Sequence, residues 1–302
     1  MSLLVVGSVA FDSVETPFGK AEEVLGGSAT YFSTAASFFT DVKLVAVVGD
    51  DFPVEHVDFL KSREIDVNGL QKASGKTFRW KGRYDFDLNQ AHTLDTQLNV
   101  FASFKPQIPE GYKDAEYVFL ANIDPVLQLE VLKQVKKPKL VACDTMNFWI
   151  EGKINELKET LKHVDILTIN EGEARELSKE ANLVKAAKTI LSFGPKTLIV
   201  KRGEYGSLMF SDTGIFAAPA YPLESVFDPT GAGDSFAGGF MGYLSNTGNL
   251  ADGNIRQAII FGSVMASFNV EEFSLNRMKT LTYAEIEQRY KSFKSLTHFE
   301  DL

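Results

Sequence analysis

The sequence is poor in cysteine. Cys143 stands alone among 302 residues, so no intrachain disulfide can form. It lies in the apolar run Leu140–Cys143 and reads as a buried structural thiol. Basic charge is also in short supply. Lys and Arg number 31 against 40 Asp and Glu, a net charge of −9, which excludes the broad basic footprint of a nucleic-acid binder. No apolar run approaches membrane-spanning length. No basic stretch precedes the opening Leu3–Gly7, which reads as a strand and not as a signal peptide, so a cytoplasmic protein is expected. Internal repeats and low-complexity linkers are missing as well. After the first strand comes Gly7-Ser-Val-Ala-Phe-Asp12, without the second and third glycines of a dinucleotide fingerprint. That speaks against a dinucleotide-dependent oxidoreductase.

What remains is an ordinary globular composition, 44% hydrophobic and 24% charged, in a chain long enough for one large α/β domain over 1–302 with a small appendage. Apolar runs at 3–7, 43–49, 117–121, 140–143, 165–169 and 197–200 read as buried strands. Helical periodicity appears at 32–39, 54–63, 126–135, 153–161, 171–177, 184–191 and 252–269, and after Thr282, a predicted N-cap. Strands alternating with helices imply right-handed crossovers and a parallel sheet covered on both faces. Residues 75–101 break this rhythm. Phe78, Trp80, Tyr84 and Phe86 alternate with charged residues, which predicts a strand with one aromatic face in a small separate sheet. That face must be covered by the main sheet, a ligand or a second subunit.

The chemistry concentrates in Asp228-Pro-Thr230-Gly231-Ala232-Gly233-Asp234. Phe236, Phe240 and Leu244 follow at helical spacing, so the glycines sit at a helix N-terminus. Free N–H groups of Gly231, Ala232 and Gly233 and the helix dipole make an anion hole there. Asp234 is either a cap or a base that accepts a hydroxyl proton during phosphoryl transfer. No Gly-Lys-Ser/Thr follows, so this is not a Walker loop. Elsewhere, Asn170 and Glu173 have the spacing of a capping box. Lys201-Arg202-Gly203-Glu204-Tyr205-Gly206 is a turn whose cations suit nucleotide phosphates. Asp12 and Gly26-Gly27 lie in turns near strand ends, and Asn122, Asp124, Asp144 and Asn147 also stand at strand ends facing the expected cleft.

Together these motifs resemble the ribokinase/phosphofructokinase-B family of carbohydrate and nucleoside kinases, with Pro229 in place of the usual Thr in Asp-Thr-x-Gly-Ala-Gly-Asp. The resemblance spans nearly the whole chain. It implies a ribokinase-like three-layer α/β/α fold with a mostly parallel central sheet and a small β lid from about 13–25 and 75–101. It implies an ATP- and Mg²⁺-dependent kinase acting on a sugar or sugar derivative, with a nucleoside as the alternative acceptor. Asp234 would be the base and Gly231, Ala232 and Gly233 the anion hole. Asn170, Lys201, Arg202, Gly203, Gly206 and Asn269 would face the nucleotide, and Glu173 would act on Mg²⁺ through water. Asp12, Gly26, Gly27, Ser28, Tyr31 and Asn122 would face the acceptor. Asp228 and Thr230 are candidates for a monovalent cation such as K⁺, which parts of the family bind. The lid often serves as a dimer clasp, so a homodimer is an expectation. Ribokinases carry Asn, Lys and Asn where this chain has Ala10, Ser28 and Tyr31, so ribose itself is disfavoured. A non-catalytic sugar or nucleotide sensor is the reading from another class, and the intact Asp234 speaks against it.

Overall fold

The computed structural model describes residues 2–298 and 300. In chain order, β1 (Ser2–Val6) is followed by β2 (Ala10–Thr16), β3 (Gly19–Gly26), α1 (Ser28–Ala36), β4 (Asp41–Val48), α2 (Val54–Ser62), β5 (Asp66–Lys72), β6 (Phe78–Tyr84) and β7 (Ala91–Gln97). Then come β8 (Tyr117–Leu120), α3 (Pro125–Leu132), β9 (Leu140–Asp144), α4 (Asn147–Gly152), α5 (Ile154–Leu161), β10 (Ile166–Asn170), α6 (Glu171–Ser178), α7 (Leu183–Leu191) and β11 (Thr197–Lys201). The chain ends with β12 (Ser207–Ser211), β13 (Gly214–Ala218), α8 (Ala232–Thr247), α9 (Asp252–Asn269), α10 (Asn276–Thr280) and α11 (Tyr283–Thr297).

Nine strands form the central sheet in the order β13-β12-β11-β10-β9-β8-β1-β4-β5. Every pair from β11 to β5 is parallel, and only the pairs β11–β12 and β12–β13 are antiparallel. The near-continuous apolar runs follow from burial on both faces. Along β1, Leu3 and Val5 join the core that α1, α8 and α9 cover, while Leu4 and Val6 join the core under α3, α5, α6 and α7. Each such fully buried Val or Leu stabilises the sheet by about 1.5–3 kcal/mol. No helix among the described residues is long and apolar enough to cross a membrane.

The second sheet has four strands in the order β3-β2-β6-β7. Its central pair, β2 with β6, is parallel, and the outer pairs are antiparallel. Strand β2 of this small sheet begins at Ala10, which moves Asp12 from a turn onto a strand. The aromatic stripe is largely covered within the chain. Phe78 stacks on Phe101 at 5.3 Å, Trp80 lies on Gly82, and the Tyr84 hydroxyl reaches the glycine loop. Only Phe86, beyond the strand, stands 82% exposed, so the stripe itself does not call for a second subunit.

Candidate active site

Helix α8 starts after Gly231, whose φ of 74° is left-handed. A Cβ there would lie 2.3 Å from the ring of Tyr31, so backbone angle and space both demand glycine. The N–H of Ala232 turns back onto the Pro229 carbonyl at 3.1 Å. Ala232 is thereby withdrawn from the expected anion hole. Among the described residues the N–H groups of Gly231 and Gly233 meet no acceptor, and the hole narrows to these two.

The loop is braced from behind. Asn269, at the end of α9, donates to the Thr230 carbonyl at 2.8 Å and accepts from the Ser235 hydroxyl at 3.0 Å. It is fully buried, so its amide serves the loop and does not face a nucleotide. Asp228 accepts the N–H groups of Thr230 at 2.9 Å and Ser274 at 3.1 Å.

Asp234 lies in the first turn of α8. Burial, and then the charge of Asp144, lifts its carboxyl to about 7, with Lys201 and its own N–H opposing. A carboxylate poised near neutrality suits proton abstraction. Lys201, at the end of β11, places its Nζ 2.8 Å from Asp144 Oδ2 at the end of β9. Burial pulls this ammonium's pKa down, but Asp144, Glu173 and Asp234 outweigh it and raise it overall. Glu173 is buried too, and burial followed by Asp144 holds its carboxyl above the usual carboxylate range. It closes a reciprocal capping box with Asn170, at 2.7 and 2.8 Å, so the cap and a place beside the reacting centre belong to one residue.

Asp12 lies near this cluster on strand β2 of the small sheet. Gly27 N–H donates to its Oδ2 at 3.3 Å, and Gly26 lies so close beneath that a Cβ would sit 2.0 Å from the carboxylate. Burial raises Asp12 to about 7, Gly27 opposes this, and Asp228 and Asp234 add to it. The hydroxyl of Tyr31 is buried without a hydrogen-bond partner. It stays protonated through burial first, then the charges of Asp12 and Asp228 and the nearby Tyr84 and Asp234.

Other candidates are placed differently. Ser28 is engaged by Ser8, Oγ to Oγ, at 3.1 Å. Asn122 donates to Met146 Sδ and accepts from the Trp149 indole at 3.0 Å. Arg202 turns to Glu171 at 2.8 Å, away from Lys201 and its carboxylates. Gly203 and Gly206 form the turn after β11 with φ of 55° and 84°. Three residues carry more than the sequence assigned them. Asp144 was one of four strand-end polar residues, and only its pairing with Lys201 singles it out. Trp80 and Tyr84 were legible as a stripe, but not as groups facing Asp12 and Thr230.

The sequence model of the pfkB family carbohydrate kinases matches residues 3–280. The chain belongs to this family. It is 33% identical over 250 residues to a cytidine kinase of Thermococcus kodakarensis, covering 80% of this chain and 87% of that one. It is 26% identical over 286 residues to a nucleoside kinase of Methanothermobacter thermautotrophicus, covering 89% of both. The crystal structure of the Methanocaldococcus jannaschii nucleoside kinase, an archaeal member of the ribokinase family, superposes with a TM-score of 0.77 at 23% identity over 96% of this chain and 98% of that one. This pfkB-family kinase is therefore a phosphotransferase with an alcohol acceptor of the sugar or nucleoside class, on the ribokinase-like fold.

Proposed function

We propose that this pfkB-family kinase phosphorylates a nucleoside, with ATP as donor and Mg²⁺ as the nucleotide's counter-ion. The observation that carries the acceptor is Trp80. It pairs directly with Asp12 across β2 and β6, so both side chains share one face of the lid. The half-buried indole lies on Gly82, where a Cβ would be 2.1 Å from Cη2, and Nε1 donates to Thr93 at 3.2 Å. A flat platform beside a carboxylate suits a base joined to a ribose, with the base stacked and the hydroxyls on Asp12. The cytidine and nucleoside kinases among the relatives support the same acceptor class.

In this reading Asp12, held by the Gly27 N–H, orients the acceptor. Asp234 takes the proton of the reacting hydroxyl as that oxygen attacks the γ-phosphoryl group in line. Gly231, Gly233 and Lys201 stabilise the charge on the moving phosphoryl group. Among the described residues no group of three or more acidic, histidine or cysteine side chains has metal-holding geometry. Yet Asp144, Glu173 and Asp234 outnumber the one ammonium of Lys201, a surplus that fits Mg²⁺ arriving on phosphates and held through water by Glu173 and Asp144. The ion supplies charge neutralisation of the phosphates. At Asp228 and Thr230, the monovalent-cation candidates, each carboxylate oxygen takes one N–H donor and the Thr230 carbonyl takes the Asn269 amide.

The test is ADP release from ATP·Mg²⁺ against nucleosides, pentoses and hexoses, for the wild type and Trp80→Ala. A nucleoside is expected as the best acceptor, with its KM raised about ten-fold in Trp80→Ala from one lost stacking contact. A best acceptor without a base, or an unchanged KM, overturns the nucleoside assignment.

A further inference from the structure

Strand β6 ends at Tyr84, on the same face as Trp80 and, through the register with β2, as Asp12. Its hydroxyl is enclosed where the lid meets the glycine loop. The Thr230 hydroxyl donates to it at 3.4 Å, which leaves the phenol's own proton uncommitted. Burial, then the charges of Asp228, Asp12 and Asp234, hold the phenol well above its ordinary value, with Thr230 opposing, so that proton stays on. A second contact comes from the loop that joins β6 to β7. Asn89 lays its amide oxygen where Gly203 would carry a Cβ, 2.4 Å away. One hairpin thus touches the glycine loop through Tyr84 and the nucleotide-side turn through Asn89.

We propose that Tyr84 is a positioning residue that joins lid closure to the anion loop, so that Thr230 and the loop it belongs to are fully braced only when the lid lies over them. The inference rests on the kinase reading. Thr230 is already held from behind, its carbonyl by Asn269 and its N–H by Asp228. Its hydroxyl is the one remaining polar group, and Tyr84 meets it from the opposite side. With the lid raised that contact is lost and water enters above Asp234. With the lid down, a neutral phenol lies among Asp12, Asp228 and Asp234, adding a proton donor and no charge.

The chain supplies its own reporter. Trp80 and Trp149 are its only tryptophans, and Trp80 lies on the lid beside the joint. In a Trp149→Phe background, acrylamide quenching of Trp80 is measured with and without Tyr84→Phe. The phenylalanine keeps the ring and removes only the hydroxyl. A larger quenching constant in Tyr84→Phe, at an unchanged melting temperature, is the expected result. An unchanged constant overturns the proposal, and this arm needs no acceptor. In the second arm, turnover of Tyr84→Phe is expected to fall about ten-fold, the worth of one hydrogen bond in the closed state. The KM for ATP stays constant, and ADP forms in excess of phosphorylated acceptor. A ratio of ADP to product equal to that of the wild type overturns the coupling. A wild type that phosphorylates nothing indicts the kinase reading instead, while the quenching arm still decides the joint.

Discussion

Replacing Asp234 by Asn separates chemistry from stability. In the folded chain this carboxyl titrates near 7 against an ordinary value of 3.8, with burial the first cause. The folded value lies above the unfolded one, so the unfolded chain releases the proton first. Stability therefore falls as pH rises from about 4 to about 7, and the full cost is present above that window. At about 1.4 kcal/mol per pH unit, the buried anion costs about 4 kcal/mol at pH 8. Asn has the same shape and no charge, and Lys201 keeps its pairing with Asp144. The variant is expected to melt several degrees above the wild type at pH 8, with the gap closing towards pH 5. Turnover is expected to fall by about 10²-fold or more, because no other group takes the acceptor's proton. Wild-type kcat/KM should rise with pH through about 7 as Asp234 ionises. Scanning fluorimetry across pH and a coupled ADP assay measure both effects. A variant that keeps most of its turnover refutes Asp234 as the base. A melting difference that is the same at pH 5 and pH 8 refutes the buried-charge argument.

Asn269→Ala removes two hydrogen bonds from a fully buried site and leaves the Thr230 carbonyl and Ser235 hydroxyl without that partner. It is expected to cost about 1–3 kcal/mol in urea unfolding. It should also lower kcat, and added KCl should restore neither, because the bracing group is an amide and not a cation. Cys143 is buried, and burial first, then Asp144, pushes its thiol up. The native protein should therefore resist a thiol-reactive dye at pH 8, and the urea-unfolded chain should release a single equivalent.

The central sheet was legible because its strands are buried on both faces and read as unbroken apolar runs, as at Leu3–Val6 and Leu198–Val200. Strand β5, Asp66–Lys72, escaped because an edge strand with the sequence DVNGLQK buries only Gly69. The hairpin of β12 and β13 escaped because the parallel rhythm ends there and Gly214–Ala218 is mostly exposed. The Asn170–Glu173 cap and the start of α8 were readable from local spacing, since both are contacts within a few residues. Asp144 with Lys201, and Tyr84 with Thr230, are 57 and 146 residues apart, and no local pattern encodes such pairings. Asp12 was recognised as a site residue but given to a turn. The alternation of burial in Ala10–Thr16 is weak, because Ala10, Phe11 and Asp12 are all buried.

The placement of Asp12 on a lid strand changes how the site is to be understood. Asp144, Glu173 and Asp234 sit around Lys201 on the ends of the central sheet and its helices, the phosphoryl side on the proposed reading. Asp12, Trp80 and Tyr84 lie on one face of the small sheet, the acceptor side on the proposed reading. After burial, the charges of Asp228 and Asp234 add to the raised pKa of Asp12, and the charge of Asp144 adds to that of Asp234. On the proposed reading, a metal-bearing nucleotide reduces that repulsion, so its binding and the ionisation of Asp234 favour each other. The base is then readied by the substrate it serves. The lid completes the site only when a group with both hydroxyls and a flat face spans Asp12 and Trp80. A kinase arranged in this way discriminates against water as an acceptor, since water reaches neither the platform nor the paired contacts on Asp12.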